Sequence, residues 1–258
     1  MPSELESIGP VGAVAGPPSR LYYGPPGSGK TTLAAMHPGE AKLFLDMDQK
    51  LDEIGNLPNR THISRWTPNE TLGNPDGIDI PFSPDPKNVQ LGKIPAKKPQ
   101  GYERLVNVTN QLLAIKDRFP WDLVVLDSLT STADHWERLL MYTHKVSFMT
   151  ERLWGIYLQG LKEYVNGFLQ LPCERIIVCH DKSVVDEDTK FERIRPAIAG
   201  QLGNNLTRYF TEAYYFLGRD RSGSYKIQTI TDSRIAARTS RSLEPQVIAS
   251  DAIYKTAR

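Results

Sequence analysis

Cysteine, histidine and net charge are all scarce in this chain, and each shortage closes off a class of function. Two cysteines in 258 residues, Cys173 and Cys179, sit six apart around a predicted strand. That usage suits a reduced cytoplasmic protein with inert thiols and excludes a disulfide-stapled scaffold. His37, His62, His135 and His144 show no metal-ligand spacing, so no dedicated metal centre is expected. Lys and Arg number 31 against 30 Asp and Glu, a net charge of +1. No global field therefore drives the chain onto nucleic acid or a membrane, and any polyanion site has to be a local patch. No apolar run approaches the ~18 residues that a membrane span requires. The opening MPSELESIGPVGAVAGPPSR has neither a basic start nor a long apolar core, so residues 1–19 are expected to form a flexible leader and not a signal peptide.

What is there, from residue 20 onward, is an alternation of strand and helix patterns. RLYYG leads into a Gly/Pro-rich turn and KTTLAAM opens a helix; AKLFLDMD (41–48), WDLVVLD and ERIIVCHD read as further buried strands. YERLVNVTNQLLAIKDRF places Leu105, Val108, Leu112 and Ile115 on one helical face, and Leu153, Tyr157, Leu161, Tyr164, Val165 and Phe168 repeat at helical spacing. Residues 67–101 interrupt the alternation with seven prolines and four glycines and are expected as an inserted surface loop. Residues 182–200 read as polar and irregular. AYYFLGR and YKIQTIT flank DRSGS as an antiparallel hairpin. The pattern predicts one α/β domain over 20–258, with a largely parallel sheet flanked by helices and closed by that hairpin.

GPPGSGKT (24–31) fits G-x-x-x-x-G-K-[ST], extended by a second threonine. Gly24, Pro25, Pro26, Gly27, Ser28, Gly29, Lys30, Thr31 and Thr32 thus make a candidate phosphate loop. Glycines let backbone N–H groups turn inward around an anion, Lys30 reaches the β- and γ-phosphates, and the Thr31 hydroxyl serves Mg²⁺. Asp127 ends an apolar strand about a hundred residues later, where a carboxylate holds Mg²⁺ through water. The motif implies ATP or a related nucleotide with Mg²⁺.

Many such sites carry a glutamate after the strand's last aspartate to activate the attacking water, but here Ser128 follows Asp127. The acceptor can come from a neighbouring strand. DMDQKLD supplies Asp46, Asp48 and Asp52, and strand alternation sends Asp46 and Asp48 to the same side, so spacing leaves both open.

LYYGPPGSGKTT, LFLDMDQKLD, LVVLDSLT and IIVCHD, in this order, resemble the core of the RecA-type recombinases, most closely the RecA-like annealing and recombination ATPases encoded by bacteriophages. The family's D-x-E-x-x-L-D implies that Asp48 stands in for the water-activating glutamate, one methylene short. Its Asp-Ser strand end matches Asp127-Ser128. The resemblance also implies a γ-phosphate sensor at His180. DSRIAAR resembles a segment that reaches the neighbouring subunit's ATP, with Arg234 on its second basic position and Asp232 replacing the first.

Single-stranded DNA, self-association into a ring or filament, and a single-stranded-DNA-binding protein are the partners the resemblance implies. The candidate DNA contacts are Lys145, Phe148 and Arg152 in one loop and Lys182, Lys190, Phe191, Arg193 and Arg195 in another. Cations there would track the backbone while rings stack on bases. Asp186, Glu187, Asp188 and Glu192 nearly cancel the second loop's charge. Two alternatives stand beside this reading: an AAA-type remodelling or loader ATPase, and an ATP-binding scaffold with little hydrolysis.

Overall fold

The structure, a computed structural model, describes residues 16–54, 63–68, 77–81, 91–95, 97–115, 118–185 and 190–250. The expected leader thus falls largely outside the described residues. Its strands are β1 (Ser19–Gly24), β2 (Lys42–Asp46), β3 (Ile63–Trp66), β4 (Gly77–Pro81), β5 (Leu91–Pro95), β6 (Leu123–Asp127), β7 (Glu174–Val185), β8 (Glu192–Pro196), β9 (Glu212–Arg219), β10 (Tyr225–Gln228) and β11 (Gln246–Ile248). The helices are α1 (Lys30–Ala35), α2 (Gly101–Ala114), α3 (Leu129–His144), α4 (Glu151–Phe168) and α5 (Gly200–Asn205).

The main sheet runs β11-β10-β9-β1-β7-β6-β2-β3, parallel from β9 to β3 and antiparallel through β9, β10 and β11. This is a P-loop NTPase fold. Its central strands are apolar on both faces because helices cover both. Along β6, Leu123 and Val125 point to one core and Val124 and Leu126 to the other; in β7, Ile176 and Val178 oppose Ile177 and Cys179. α2, α3 and α4 pack on the larger core. In α4 the residues at helical spacing, Leu153 through Phe168, are all buried, and Thr150 caps its first turn by accepting from the Leu153 N–H (3.4 Å). Leu161, wholly buried on that stripe, would cost roughly 2–5 kcal/mol if cut to alanine.

Two expectations are corrected. Residues 182–200 are not irregular: β7 runs on to Val185 and β8 folds back on it antiparallel, with Lys182 opposite Arg195 and Val184 opposite Arg193. Val184, Val185 and Ile194 supply β-formers between the charges, and the charge pattern masked them. Residues 67–101 contain a separate two-stranded antiparallel sheet, β4 with β5. Its prolines 81 and 95 close the two strands, positions where a missing N–H breaks no interior ladder. At the C-terminal hairpin, Asp220 builds the turn by accepting from the N–H groups of Ser222 (2.8 Å) and Ser224 (3.1 Å). No described helix is long and apolar enough to cross a membrane.

Candidate nucleotide site

Register brings the sequence-predicted residues to one edge of the sheet, where the parallel strands end. β1 pairs with β7 so that Gly24 lies beside His180, and β2 pairs with β6 so that Asp46 lies beside Asp127. Past Asp46 the chain continues along β6, with the Met47 and Asp48 N–H groups both donating to the Asp127 carbonyl (2.6 and 3.2 Å). A cleft of about 290 Å³ opens over these ends, lined by Pro26, Gly27, Gly29, Lys30, Thr31, Thr32, Asp48, Asp127 and His180 together with Lys50, Val178 and Tyr225.

The loop from Gly24 to Gly29 turns through left-handed geometry at Gly27 and Gly29. Gly29 has φ +94°, and a Cβ there would lie 2.3 Å from the Tyr225 ring. Only glycine fits both the dihedral and the space. Lys30 is buried, and its Nζ donates to the carbonyls of Gly24 (2.9 Å) and Pro25 (2.7 Å). Burial lowers the Lys30 pKa, and Asp127 pulls the other way. α1 has six residues, so its dipole is small and the loop N–H groups and Lys30 carry most of the attraction for an anion.

Thr31 Oγ1 donates to Asp127 Oδ2 at 2.7 Å, which puts a hydroxyl and a carboxylate side by side under the loop. Burial drives the Asp127 carboxyl up to about 7; the Thr31 hydrogen bond opposes the shift and the charges of Asp48 and Asp46 add to it. A buried carboxylate raised this far gains from a divalent cation. Hydroxyl, carboxylate, buried lysine and a glycine-rich loop around one cleft together fit a nucleoside triphosphate with Mg²⁺.

Asp46 and Asp48 separate cleanly. Asp46 is 1% exposed, forms an ion pair with Arg65 (2.7 Å), and accepts from the N–H groups of Lys50 (3.3 Å) and Leu51 (3.0 Å) where the chain turns into a 3₁₀ helix. It is a structural anchor. Asp48 lines the cleft: its Oδ1 accepts from the hydroxyls of Ser128 (2.8 Å) and Ser131, and its Oδ2 faces His180 Nε2 at 3.6 Å. Burial works to raise the Asp48 pKa, but the interactions with His180, Ser131 and Ser128 outweigh it and hold the carboxyl below its ordinary value. Asp48 is therefore a carboxylate at neutral pH.

The remaining candidates lie elsewhere. Lys145, Phe148 and Arg152 sit in and just after the α3–α4 connection; Lys145 Nζ rests over the Tyr142 ring at 3.7 Å, and Phe148 is 40% exposed. Lys182 donates to the Ile198 carbonyl (2.7 Å), a local task for that ammonium. Lys190 and Phe191 precede β8, with Phe191 38% exposed. Arg193, Arg195 and Arg234 do not reach the phosphate loop. They converge with Arg208, Asn204 and Asn205 on a second cleft of about 680 Å³, where Arg234 pairs with Glu192.

Sequence reasoning missed Arg208, Lys50, Ser131 and Tyr225. The run S-L-T-S-T after Asp127 carried a signal for Ser131, whereas nothing local marks Tyr225. That ring comes from β10 onto Gly29 only through the sheet, with its hydroxyl accepting from Arg219 (2.6 Å).

The comparison with curated proteins gives no match. Among solved structures, an ATPase from the type III secretion system of pathogenic bacteria is similar over 80% of this chain and 53% of its own, at 10% identity and a TM-score of 0.46. The chain thus spans about half the length of that protein. A family profile described as AAA domain matches residues 17–239, from just before β1 to past Arg234. That match takes in most of the chain, and the protein belongs to the AAA domain family.

Proposed function

We propose that this protein is a Mg²⁺-dependent ATPase of RecA type that binds single-stranded DNA and hydrolyses ATP between subunits of a ring or filament. The observation that carries the reading is where the carboxylates stand: Ser128, not an acid, follows Asp127, and Asp48 reaches the cleft from just beyond the end of the adjacent strand. Lys30 leaves the Gly24 and Pro25 carbonyls for the β- and γ-phosphates, and the loop N–H groups hold the α- and β-phosphates. Thr31 and Asp127 would hold Mg²⁺, which would supply charge neutralisation at the phosphoryl oxygens. Asp48 Oδ2 takes the proton of the attacking water, and His180, across from it, contacts the γ-phosphate. Being one methylene shorter than glutamate, Asp48 is expected to give slow turnover.

Support for the trans arrangement comes from Arg234. It lies on the second cleft and not at this chain's own loop, so a neighbour's nucleotide is the site it could serve. Arg193, Arg195 and Arg208 beside it make a local cationic groove in a chain of near-zero net charge, suited to a DNA backbone. A bacterial cytoplasm, including that of a phage-infected cell, is the compartment this function implies. Membership of the AAA domain family favours a second reading, a remodelling or loader ATPase; Ser128 and the strands that follow α5 as far as Ile248 argue against it.

ATP turnover with and without single-stranded DNA across a salt series tests the proposal. Salt-sensitive stimulation is expected, with Lys30→Ala inactive. Turnover indifferent to DNA would point to a loader, and binding without turnover to an ATP-dependent scaffold.

A further inference from the structure

We infer that the Ser131 hydroxyl, with that of Ser128, is a positioning device that fits the short side chain of Asp48 to water activation. The inference rests on the reading of Asp48 given above. Neither hydroxyl touches the phosphate loop or the candidate cation ligands Thr31 and Asp127 through any hydrogen bond among the described residues. Both instead converge on one oxygen, Asp48 Oδ1.

The consequence is geometric. An aspartate at a strand end can place its carboxylate in several rotamers, and the glutamate it replaces would reach the γ-phosphate by length. Two hydroxyl donors on Oδ1 leave one rotamer favoured and fill that oxygen's accepting directions. Oδ2 is left to face the cleft. Its neighbour there is His180 Nε2 at 3.6 Å, too far for a good direct hydrogen bond but a span that one water bridges from the side at about 2.8 Å to each.

The frame behind the clasp is stiff. Ser128 is fully buried and caps α3 by accepting from the Ser131 N–H (3.2 Å). In the same turn, Thr130 Oγ1 accepts from the His180 N–H (3.0 Å). The start of α3 thus holds the Asp48 carboxylate, two residues past β2, and the backbone of β7 in one register. A displacement of about 1 Å at such a site can cost on the order of a hundredfold in rate, so a clasp of this kind has leverage.

Ser131 is the position to test, because Ser128 also caps the helix and its loss would mix folding with function. The cap uses the Ser131 backbone, which alanine keeps. In the full chain, Ser131→Ala should lower kcat for ATP about tenfold, while KM and the dissociation constant for Mg²⁺·ATP stay within about twofold. Ser131→Thr, which retains a hydroxyl, should remain within about threefold of the wild type. A crystal structure of nucleotide-free Ser131→Ala should show the Asp48 carboxylate turned or split between rotamers.

Unchanged kcat in Ser131→Ala, a threonine variant as impaired as alanine, a parallel loss of nucleotide affinity, or an unmoved Asp48 rotamer would each overturn the inference. Asp48→Asn separates it from the reading beneath. An inactive Asp48→Asn with a normal Ser131→Ala sinks the clasp alone. An active Asp48→Asn, or a wild type without turnover, sinks both.

Discussion

Asp46 and Asp48 look interchangeable in the sequence, and the structure gives them different surroundings, so under the proposed mechanism truncating each to alanine should produce opposite phenotypes. Asp46 is 1% exposed and holds three partners: Arg65 and the N–H groups of Lys50 and Leu51. Hydrogen bonds to a charged group are worth roughly 1.5–3 kcal/mol each, and breaking a buried pair costs roughly 3–5. Arg65 is 27% exposed and keeps Asp52 at 2.8 Å, so its charge is not stranded, and the bond from Lys50 is long at 3.3 Å. Both facts place Asp46→Ala near the low end, at about 3 kcal/mol. For a chain of this size each kcal/mol moves the midpoint by about 2–4 °C, giving a drop of about 6–12 °C. Asp48 itself lines the cleft, so Asp48→Ala leaves a space that cleft water can fill to replace the lost acceptor, and Ser128 still caps α3; its cost should stay below about 1 kcal/mol. Thermal scans of nucleotide-free protein at pH 7, paired with steady-state ATP turnover, read both quantities. Asp46→Ala should melt early, with turnover at low temperature reduced far less than in Asp48→Ala. Asp48→Ala should melt near the wild type and be inactive. If Asp46→Ala melts with the wild type and loses turnover while Asp48→Ala keeps it, the assignment of anchor and base is reversed.

Because burial raises the Asp127 carboxyl to about 7, a proton competes with Mg²⁺ for it. The group is neutral below that pH and a carboxylate above it, so Mg²⁺-dependent ATP affinity should fall by up to about tenfold per unit below pH 7 and level off above pH 8. Calorimetric titrations in two buffers at pH 6 should also show proton release, and Asp127→Asn should bind weakly at every pH. Gly29→Ala should be destabilised twice, by a left-handed φ and by the Tyr225 ring 2.3 Å from the new methyl. Adding Tyr225→Ala should relieve only the second cost, and fully additive denaturation energies would refute the contact. If subunits assemble as proposed, Arg234→Ala should lower turnover while leaving Lys30 and its loop intact. Mixing it with Lys30→Ala should restore part of the activity if the guanidinium serves a neighbour's nucleotide, and no restoration at any ratio counts against that role.

How far the sequence could be read follows from where each signal is stored. The phosphate loop, Asp127 and the central strands were legible because their constraints are local. A left-handed glycine, a lysine at fixed spacing and a strand apolar on both faces all write themselves into consecutive residues. The choice between Asp46 and Asp48 was not local. Asp46 accepts from the turn that follows it and from Arg65, while Asp48 meets the hydroxyls of Ser128 and Ser131 at the start of α3, and the arrival of Arg65 and of those hydroxyls depends on pairing with strands at least 17 residues away. The same holds for the second cleft. Arg193, Arg195, Arg208 and Arg234 come from three separate segments, and along the sequence the acids at 186–188 and 192 offset the charge of the first two. In the fold, Glu192 is taken up by Ser183 and Arg234, which leaves three guanidinium groups without an ion pair among the described residues. Net charge along a segment is therefore a poor guide to the field on a hairpin, where β-pairing moves partners across strands and decides which charges face one another.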